Sequence, residues 1–482
     1  MKIALRLPAG PALRWHLGLA ERLRSAGHRV VVQHGTAPAS LPADLAALVW
    51  FERRVFGRAL SALDPAPELQ SDLVDDAPID LVMDLTGGDP AEAGPALRPE
   101  FDGAPGWPAL YAALLAERSP TLSVRRIPAG RIAATGLAAL PQPALLSSSL
   151  EAVLARLSLL LVSAVTAVGG VETAAAPPAP DHTGALTFGA SQFVRGVERK
   201  IRSLAEHPAH WRIGWRKAGA GEDLYDRQAW PANGYTWLQP GAGRYVADPF
   251  VISRGGQFCV FCEVFDYADP RGKIGVFTLD AEGRAGPLSI VLERPYHLSY
   301  PFVFERDGQV WMIPETYENR SVELYRAERF PDRWVKEADI LTGVELSDVT
   351  LAEHDGRFWM FAADTAGGQT SWDALSLFMA DHWRGPWTPH PLNPVLVDAR
   401  AARPAGMLER RRGVLFRPAQ DCRGGYGAGL SICRVDRLDP EGFSQTVLAS
   451  LPPIGLRDTG AHTLNIGGGI EVVDHCAPMR RR

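Results

Sequence analysis

Five stretches in the second half of the chain decide the fold: ADPFVISRGGQFCVFCE (247–263), YPFVFERDGQVWMIPE (300–315), DVTLAEHDGRFWMFAAD (348–364), RPAGMLERRRGVLFRPAQD (403–421) and HTLNIGGGIEVVD (462–474). Each holds a short apolar strand, a turn carrying glycine or Asp-Gly, and a second apolar strand, and Asp307-Gly308 and Asp355-Gly356 are strong hairpin signals. The units recur about every fifty residues, the period of a propeller blade of four strands. Further strand candidates follow each hairpin, at 273–280 and 286–292 after the first and at 322–325 and 334–340 after the second. Five units predict an all-β five-bladed β-propeller over residues 193–482.

In a blade the first strand runs along the central channel and the second returns beside it. The start of one and the end of the other therefore share a rim. Strand starts put Asp248, Tyr300, Asp348, Arg403 and His462 on that rim; strand ends add Glu263, Glu315, Asp364, Arg417, Gln420 and Asp421. Any one of these could merely close a turn. As a set, acids, arginines and a histidine stand at equivalent places of otherwise similar repeats, and that divergence predicts a site. Trp311 and Trp359 fit inner strands and read as core rather than stacking faces.

The first 168 residues read differently. Strand 2–7, helix 11–26 with Gly27 at its C-cap, strand 29–33 and strand 79–85 open an α/β, doubly wound domain. A crevice is expected beyond the strand ends near Gly87 and Gly88, although a tight turn explains a glycine pair as well. Residues 169–192, rich in proline, alanine and glycine, read as a linker, and 193–205 as a basic amphipathic helix.

The formal net charge of -5 lacks the basic surplus of a nucleic-acid binder. Five scattered cysteines argue for a reducing compartment, and MKIALRLPAG lacks the long apolar run of a signal peptide, so a cytoplasmic location is expected. Cys259 and Cys262 form a CxxC on a strand, where residues three apart face opposite ways, so neither zinc nor redox work is expected of them. The apolar run 157–168 is shorter than the roughly twenty residues a membrane span needs, and a buried helix is expected instead.

Two resemblances add to these readings. FDGAPGWPALYAALLAERSPTLSVRRIPAGRI (101–132), with its Gly/Pro loop, aromatic helix start and Thr-x-x-Val strand, is similar to the core of the formyltransferase family over residues 1–168. That family uses an asparagine, a histidine and an aspartate. This chain has no asparagine before Asn233 and no histidine between His34 and His182, so the resemblance implies a formyltransferase-like fold without the usual catalysis, with Asp84 and Asp102 read as capping or solvated.

From 193 onward, YVADPF, ERPYHLSYPFVFE, MIPET, Glu323-Leu324-Tyr325, FPDRW, PHPLNPV, ARPAG, RPAQDC and AHTLN resemble the N-terminal domain of the glucosamine inositolphosphorylceramide transferase family, including its bacterial relatives, in which the same degenerate domain precedes the propeller. In the plant proteins the glycosyltransferase domain is a separate C-terminal unit, so the transferase name does not carry over. The propeller also looks like five-bladed glycoside hydrolases of furanosides, which place acids in the first three blades. Asp248 matches the first, Tyr300 replaces the second with Glu315 ending the same hairpin, and Asp348 stands near the third.

These readings predict a carbohydrate-active protein of polysaccharide or glycoconjugate metabolism, acting on a glycosidic linkage by hydrolysis or transfer. Asp248 is expected as base or nucleophile and Glu315 or Asp348 as acid. Arg403 and Arg417 are expected to hold an acidic sugar, His462 to orient it, and Glu263, Tyr300, Gln420 and Asp421 to complete the binding set. The alternatives are a non-catalytic glycan-binding module and residual formyl or acyl transfer by the first domain. No cofactor is required, though the clustered carboxylates could hold a divalent cation such as calcium.

Overall fold

The computed structural model describes the chain except residues 39–41, 57–61, 68, 73–76, 88–93, 167–183, 220, 232–233, 242, 456–457 and 481–482. It divides into two compact units, Met1–Arg199 with Gly367–Gln369, and Lys200–Ala366 with Thr370–Arg482.

The first unit runs β1 (Lys2–Ala9), α1 (Arg14–Ser25), β2 (Arg29–Pro38), α2 (Ala43–Phe56), β3 (Leu81–Asp84), β4 (Ala96–Phe101), β5 (Ala104–Pro105), α3 (Trp107–Leu115), β6 (Thr121–Ile127), β7 (Ile132–Leu137) and α4 (Leu146–Thr166). Its sheet has the order β2-β1-β3-β4-β6-β7, with β5 on β4. The first four strands pair in parallel and the last three antiparallel. The parallel part follows from near-continuous apolar runs such as Ile3–Ala4–Leu5, all fully buried.

Gly87 has φ 75°, and a Cβ there would stand 3.0 Å from the Gly106 Cα, so close backbone approach explains this glycine; Gly88 lies outside the described residues. Asp84 accepts hydrogen bonds from the N–H and hydroxyl of Thr86, and Asp102 from Arg118 and the Thr121 N–H, so both close local structure. Helix α4 is longer than the apolar run alone suggested. At 21 residues it is long and apolar enough to cross a membrane, yet 67% of its most apolar window is buried, with Leu150, Val153, Leu157 and Leu161 nearly inaccessible.

Most of the segment read as a linker lies outside the described residues, but its last part, from 185, is already helical. Helix α5 (Ala185–Ala205) starts eight residues before the expected 193 and leads directly into β8 (Glu206–Lys217). A short helix α6 (Leu224–Arg227), capped by the Asp223 carboxylate, and β9 (Thr236–Trp237) follow.

The propeller comes next. Blade 1 holds β10 (Arg244–Arg254), β11 (Gln257–Asp266), β12 (Asp269–Leu279) and β13 (Ser289–Leu292). Blade 2 holds β14 (Ser299–Arg306), β15 (Gln309–Glu315), β16 (Ser321–Arg329) and β17 (Arg333–Thr342). Blade 3 holds β18 (Leu346–His354), β19 (Arg357–Asp364), β20 (Ala374–Ala380), β21 (Thr388–Pro389) and β22 (Leu396–Val397). Blade 4 holds β23 (Glu409–Arg411), β24 (Val414–Asp421), β25 (Gly429–Asp439) and β26 (Gly442–Leu451). Blade 5 is composite: β27 (Leu464–Gly467) and β28 (Ile470–Arg480) from the C-terminal end pair with β8 and β9, in the order β27-β28-β8-β9. Joining strands from both ends of the unit closes the ring and removes the open edge a fifth hairpin would otherwise expose.

Apolar cores lie between neighbouring blades. Phe250, Phe261, Ile313 and Met360 unite blades 1 to 3; Phe361, Leu377 and Leu415 join blades 3 and 4; Ile432, Leu464 and Val473 join blades 4 and 5; Ile213, Val260 and Val472 join blades 5 and 1. Cys259 and Cys262 illustrate the strand alternation. The first packs in the core towards blade 2, the second in the core towards blade 5, and both are buried free thiols. Trp311 and Trp359 are 2% exposed and belong to the core.

Candidate functional site

The first strands of blades 1, 2 and 3 break register at the same repeat position, between Ala247 and Phe250, Ser299 and Phe302, and Ser347 and Thr350. The residues in the breaks, Asp248, Tyr300 and Asp348, have φ of 52°, 42° and 56°. Left-handed backbone is uncommon for aspartate and an outlier for tyrosine, so something must hold it. In each case the bulged N–H donates to a carboxylate of the preceding blade. Asp248 N reaches Asp474 Oδ2 at 3.0 Å, Tyr300 N reaches Asp248 Oδ2 at 3.1 Å, and Asp348 N reaches Glu315 Oε2 at 3.1 Å. The bulges thus draw acids from neighbouring blades to one rim.

Blade 4 supplies the counter-charge. Arg403 donates from Nε to Asp348 Oδ2 at 2.6 Å and from a terminal nitrogen to Ser371 Oγ at 2.9 Å; its other terminal nitrogen lies 3.9 Å from Glu315 Oε2. Gln420 Nε2 donates to the same Asp348 oxygen at 2.9 Å. Blade 5 closes the circle. His462 Nδ1 lies 2.6 Å from Asp474 Oδ2 and 3.7 Å from Asp248 Oδ1, and Thr463 Oγ1 donates to Asp248 Oδ1 at 3.0 Å. The His462 ring stacks on Trp211 of β8 at 3.8 Å.

Burial sets the charges. Desolvation, with the nearby Asp348 and Asp474 charges opposing His462, pushes Asp248 up to about 6. Desolvation pushes Asp348 up to about 7, with Arg403 opposing and Glu315 reinforcing. Glu315 is raised by desolvation against the pull of Arg403, and Glu263 is held well above the carboxylate range by desolvation and then by Asp248 and Glu315. Desolvation acts against the charged forms of His462 and Asp474, but their mutual attraction outweighs it, so His462 is raised and Asp474 lowered. The site therefore combines one firmly ionised carboxylate, Asp474, with two, Asp248 and Asp348, poised to carry a proton near neutrality.

The expected residues fall into four groups. Asp248 and His462 form one bonded cluster with Asp474, and Glu315, Asp348, Arg403 and Gln420 form a second, with Asp348 acting on Asp248 and His462 through its charge. Glu263 borders them: its Oε1 is 3.3 Å from His297 Nε2, outside hydrogen-bonding geometry, and has no hydrogen-bond donor. The other four stand elsewhere. Tyr300 points its ring into the core, T-shaped to Phe250 with its hydroxyl on Thr350 Oγ1, and only its N–H serves the rim. Arg417 is fully buried and donates to the carbonyls of Ala401 and Ala402 and to Gln445 Oε1, because it lies on the opposite face of β24 from Gln420. Asp421 pairs with Arg423, and Asp364 accepts from the Ala366 N–H and Ser376 Oγ.

Asp474, Thr463, Ser371, Trp211 and Tyr426 were missed. Asp474 had a signal, for it closes the fifth repeat unit of the sequence as Glu315 closes the second, although β28 itself runs on to Arg480. Tyr426 sits in a glycine-rich loop between β24 and β25, with Arg403 Cζ 5.0 Å from its ring centre and that centre 5.4 Å from the His462 ring centre in a T-shaped contact. A cation, if bound, would find Asp248, His462 and Asp474 with ligand atoms within 4.8 Å of one another. Those atoms already bond each other, so metal binding would have to displace the His462–Asp474 contact.

Residues 238–451 match the family model "Glucosamine inositolphosphorylceramide transferase 1, N-terminal". That match spans blades 1 to 4, whereas His462, Asp474 and Trp211 of blade 5 lie outside it. The glucosamine inositolphosphorylceramide transferase 1 of Oryza sativa subsp. japonica is 31% identical over 275 residues, covering 53% of this chain and 37% of that protein. Its counterpart from Arabidopsis thaliana is 33% identical over 205 residues, covering 42% and 27%. The chain thus spans only 37% and 27% of the length of these two relatives. Among solved structures, a family 117 glycoside hydrolase of Zobellia galactanivorans aligns with a TM-score of 0.36 and 12% identity, covering 56% of this chain and 91% of that one.

Proposed function

We propose that the propeller mouth binds a glycan and acts on a glycosidic linkage, by hydrolysis or by glycosyl transfer. The observation that carries this reading is the meeting of carboxylates from blades 1, 2, 3 and 5 with Arg403 of blade 4, in states that range from firmly ionised Asp474 to raised Asp348 and Glu315. Glycoside chemistry needs such a pair: one acid to protonate the departing oxygen, one base to take a proton from the attacking hydroxyl. Glu315 suits the acid. Its pKa is raised and its side chain, 14% exposed, is more open than that of Asp348 at 3%. Asp248, oriented by the Tyr300 N–H and the Thr463 hydroxyl, suits the base. The leaving oxygen takes the proton of Glu315 as the glycosidic bond breaks. Water, or an acceptor hydroxyl in transfer, bonds to the anomeric carbon and gives its proton to Asp248. An acidic sugar finds less support than the sequence suggested, since Arg403 is matched by Asp348 and Glu315 and Arg417 faces away.

Purified protein incubated with oligosaccharides should release or transfer sugar, and the folded variant Asp248→Asn should lose turnover by at least about a hundredfold. Undiminished turnover in that variant removes Asp248 from the mechanism. One observation favours a binding-only module: Asp248 and Asp348 are 4% and 2% exposed and already hydrogen-bonded. That reading predicts saturable binding without turnover, surviving Glu315→Gln. For the first unit, a formyltransferase-like ancestry without its catalysis remains the proposal, and folate binding would revive acyl transfer. Five buried free thiols support the proposal of a reducing, cytoplasmic setting.

A further inference from the structure

Two aromatic side chains beside the carboxylates have no part in the chemistry above. Trp372 precedes β20 in blade 3, and Tyr426 lies between β24 and β25 in blade 4; their ring centres are 5.8 Å apart at 42°. Tyr426 is 40% exposed and Trp372 half-buried. Aromatic rings open to solvent beside a buried polar cluster offer a ligand an apolar face next to hydrogen-bonding groups.

Both rings are held by the site itself. Ser371 and Asp373, which flank Trp372, are 8% and 2% exposed, and Ser371 Oγ accepts from Arg403. Tyr426 is fixed by its glycine neighbours. Gly425 and Gly427 have φ of 121° and 55°, and a Cβ on Gly427 would stand 2.8 Å from the His462 side chain. The Gly427 carbonyl accepts from the Ala461 N–H at 2.9 Å, and Cys422 N–H donates to Ala399 O at 2.7 Å. The loop backbone is thus seated on His462, and the guanidinium of Arg403 lies over the Tyr426 ring. One arginine therefore touches the acid pair, the base of the Trp372 segment and the Tyr426 face.

We propose that Trp372 and Tyr426 form the stacking subsite of the mouth and select a pyranose ring, whose axial C–H face is apolar while its hydroxyls lie at the edge. Stacking sets the plane of the sugar, and the adjacent carboxylates accept its hydroxyl hydrogens. The inference rests on the glycan reading of the site and adds the class of sugar and the residues that choose it. Rings that stack this way favour neutral or amino pyranoses, because Arg403, which lies over the Tyr426 ring, is already matched by acids.

The test is binding of the full chain to immobilised neutral, amino- and uronic-acid pyranose oligosaccharides and furanose oligosaccharides, followed by titration calorimetry on the best of them. Trp372→Ala and Tyr426→Ala should each weaken binding about tenfold, with the thermal transition retained. Trp372→Phe and Tyr426→Phe should recover most of that loss, because the ring and not the indole N–H or hydroxyl does the stacking. Sugar should also change the tryptophan emission of the wild type, and Trp372→Phe should remove the larger part of that change. Alanine variants that bind as tightly as the wild type, while Asp248→Asn still abolishes turnover, overturn the stacking subsite and leave the reading of the site intact. A preference for furanoses overturns the pyranose selection. A wild type that binds none of these sugars overturns both.

Discussion

Asp348 depends on Arg403 more than on any other group. Its Oδ2 takes both the Arg403 Nε and the Gln420 amide, and its raised pKa would climb further without the guanidinium. Arg403→Ala should therefore destabilise the propeller by about 3–5 kcal/mol in denaturant titration, the cost of leaving buried acids without their partner. Arg403→Lys should recover little, since one ammonium cannot address Asp348, Ser371 and Glu315 at once. At this scale the sequence exposed Asp248, Glu315, Asp348, Arg403 and His462, because strand starts and strand ends must share a rim. It misled over Arg417, although Arg417 and Gln420, three apart on β24, must face opposite ways as Cys259 and Cys262 do on β11. Tyr300 misled for another reason. A bulge turned its side chain inward and left the N–H at the site, and a bulge leaves no mark in an apolar pattern.

The elements of the ring meet most tightly where blade 4 enters beside blade 5. Gly406 has φ 140°, and a Cβ there would overlap the Leu464 carbonyl of β27, whereas Gly413, at φ 81° in a hairpin turn, has nothing within 4 Å. Gly406→Ala should cost about 3 kcal/mol or more by overpacking against backbone, and Gly413→Ala about 1–2 kcal/mol from backbone strain alone. Chemical denaturation of the two variants side by side checks the difference; equal losses would mean that blade 4 does not abut β27 as described. Four of the five blades were legible from hairpin turns and the period of their repeats. The fifth was legible only in half. Its hairpin at 462–474 shows in the sequence, but nothing local announces that β8 pairs with β28, where Lys217 meets Ile470. Long-range pairing of that kind is set by ring closure and not by local propensity.

Across the whole molecule the site makes stability depend on pH. Asp248 and Asp348 hold protons in the folded ring at pH values where the unfolded chain has lost them, so their stabilising contribution is full below about pH 4 and is lost as pH rises through about 6 and 7. His462, also raised, contributes fully below its ordinary value of 6.5 and loses that contribution as pH rises through its folded pKa. Asp474, lowered, acts in the opposite sense. Its contribution is present above its ordinary value of 3.8 and is lost as pH falls through its folded pKa. The protein without sugar should accordingly lose stability between pH 5 and pH 8 in thermal denaturation, and Asp348→Asn should flatten that slope. A curve that rises across this window would contradict the charge states assigned to the mouth.

Carbon-detected NMR titration of the aspartate carboxyls addresses the central claim most directly, namely that acids from separate blades form one electrostatically linked centre. Asp248 and Asp348 should titrate at about 6 and about 7, and Asp348→Asn should move the Asp248 midpoint down. Midpoints near 4 for both, with Asp248 indifferent to the Asp348 substitution, would show independent solvated carboxylates and no common site.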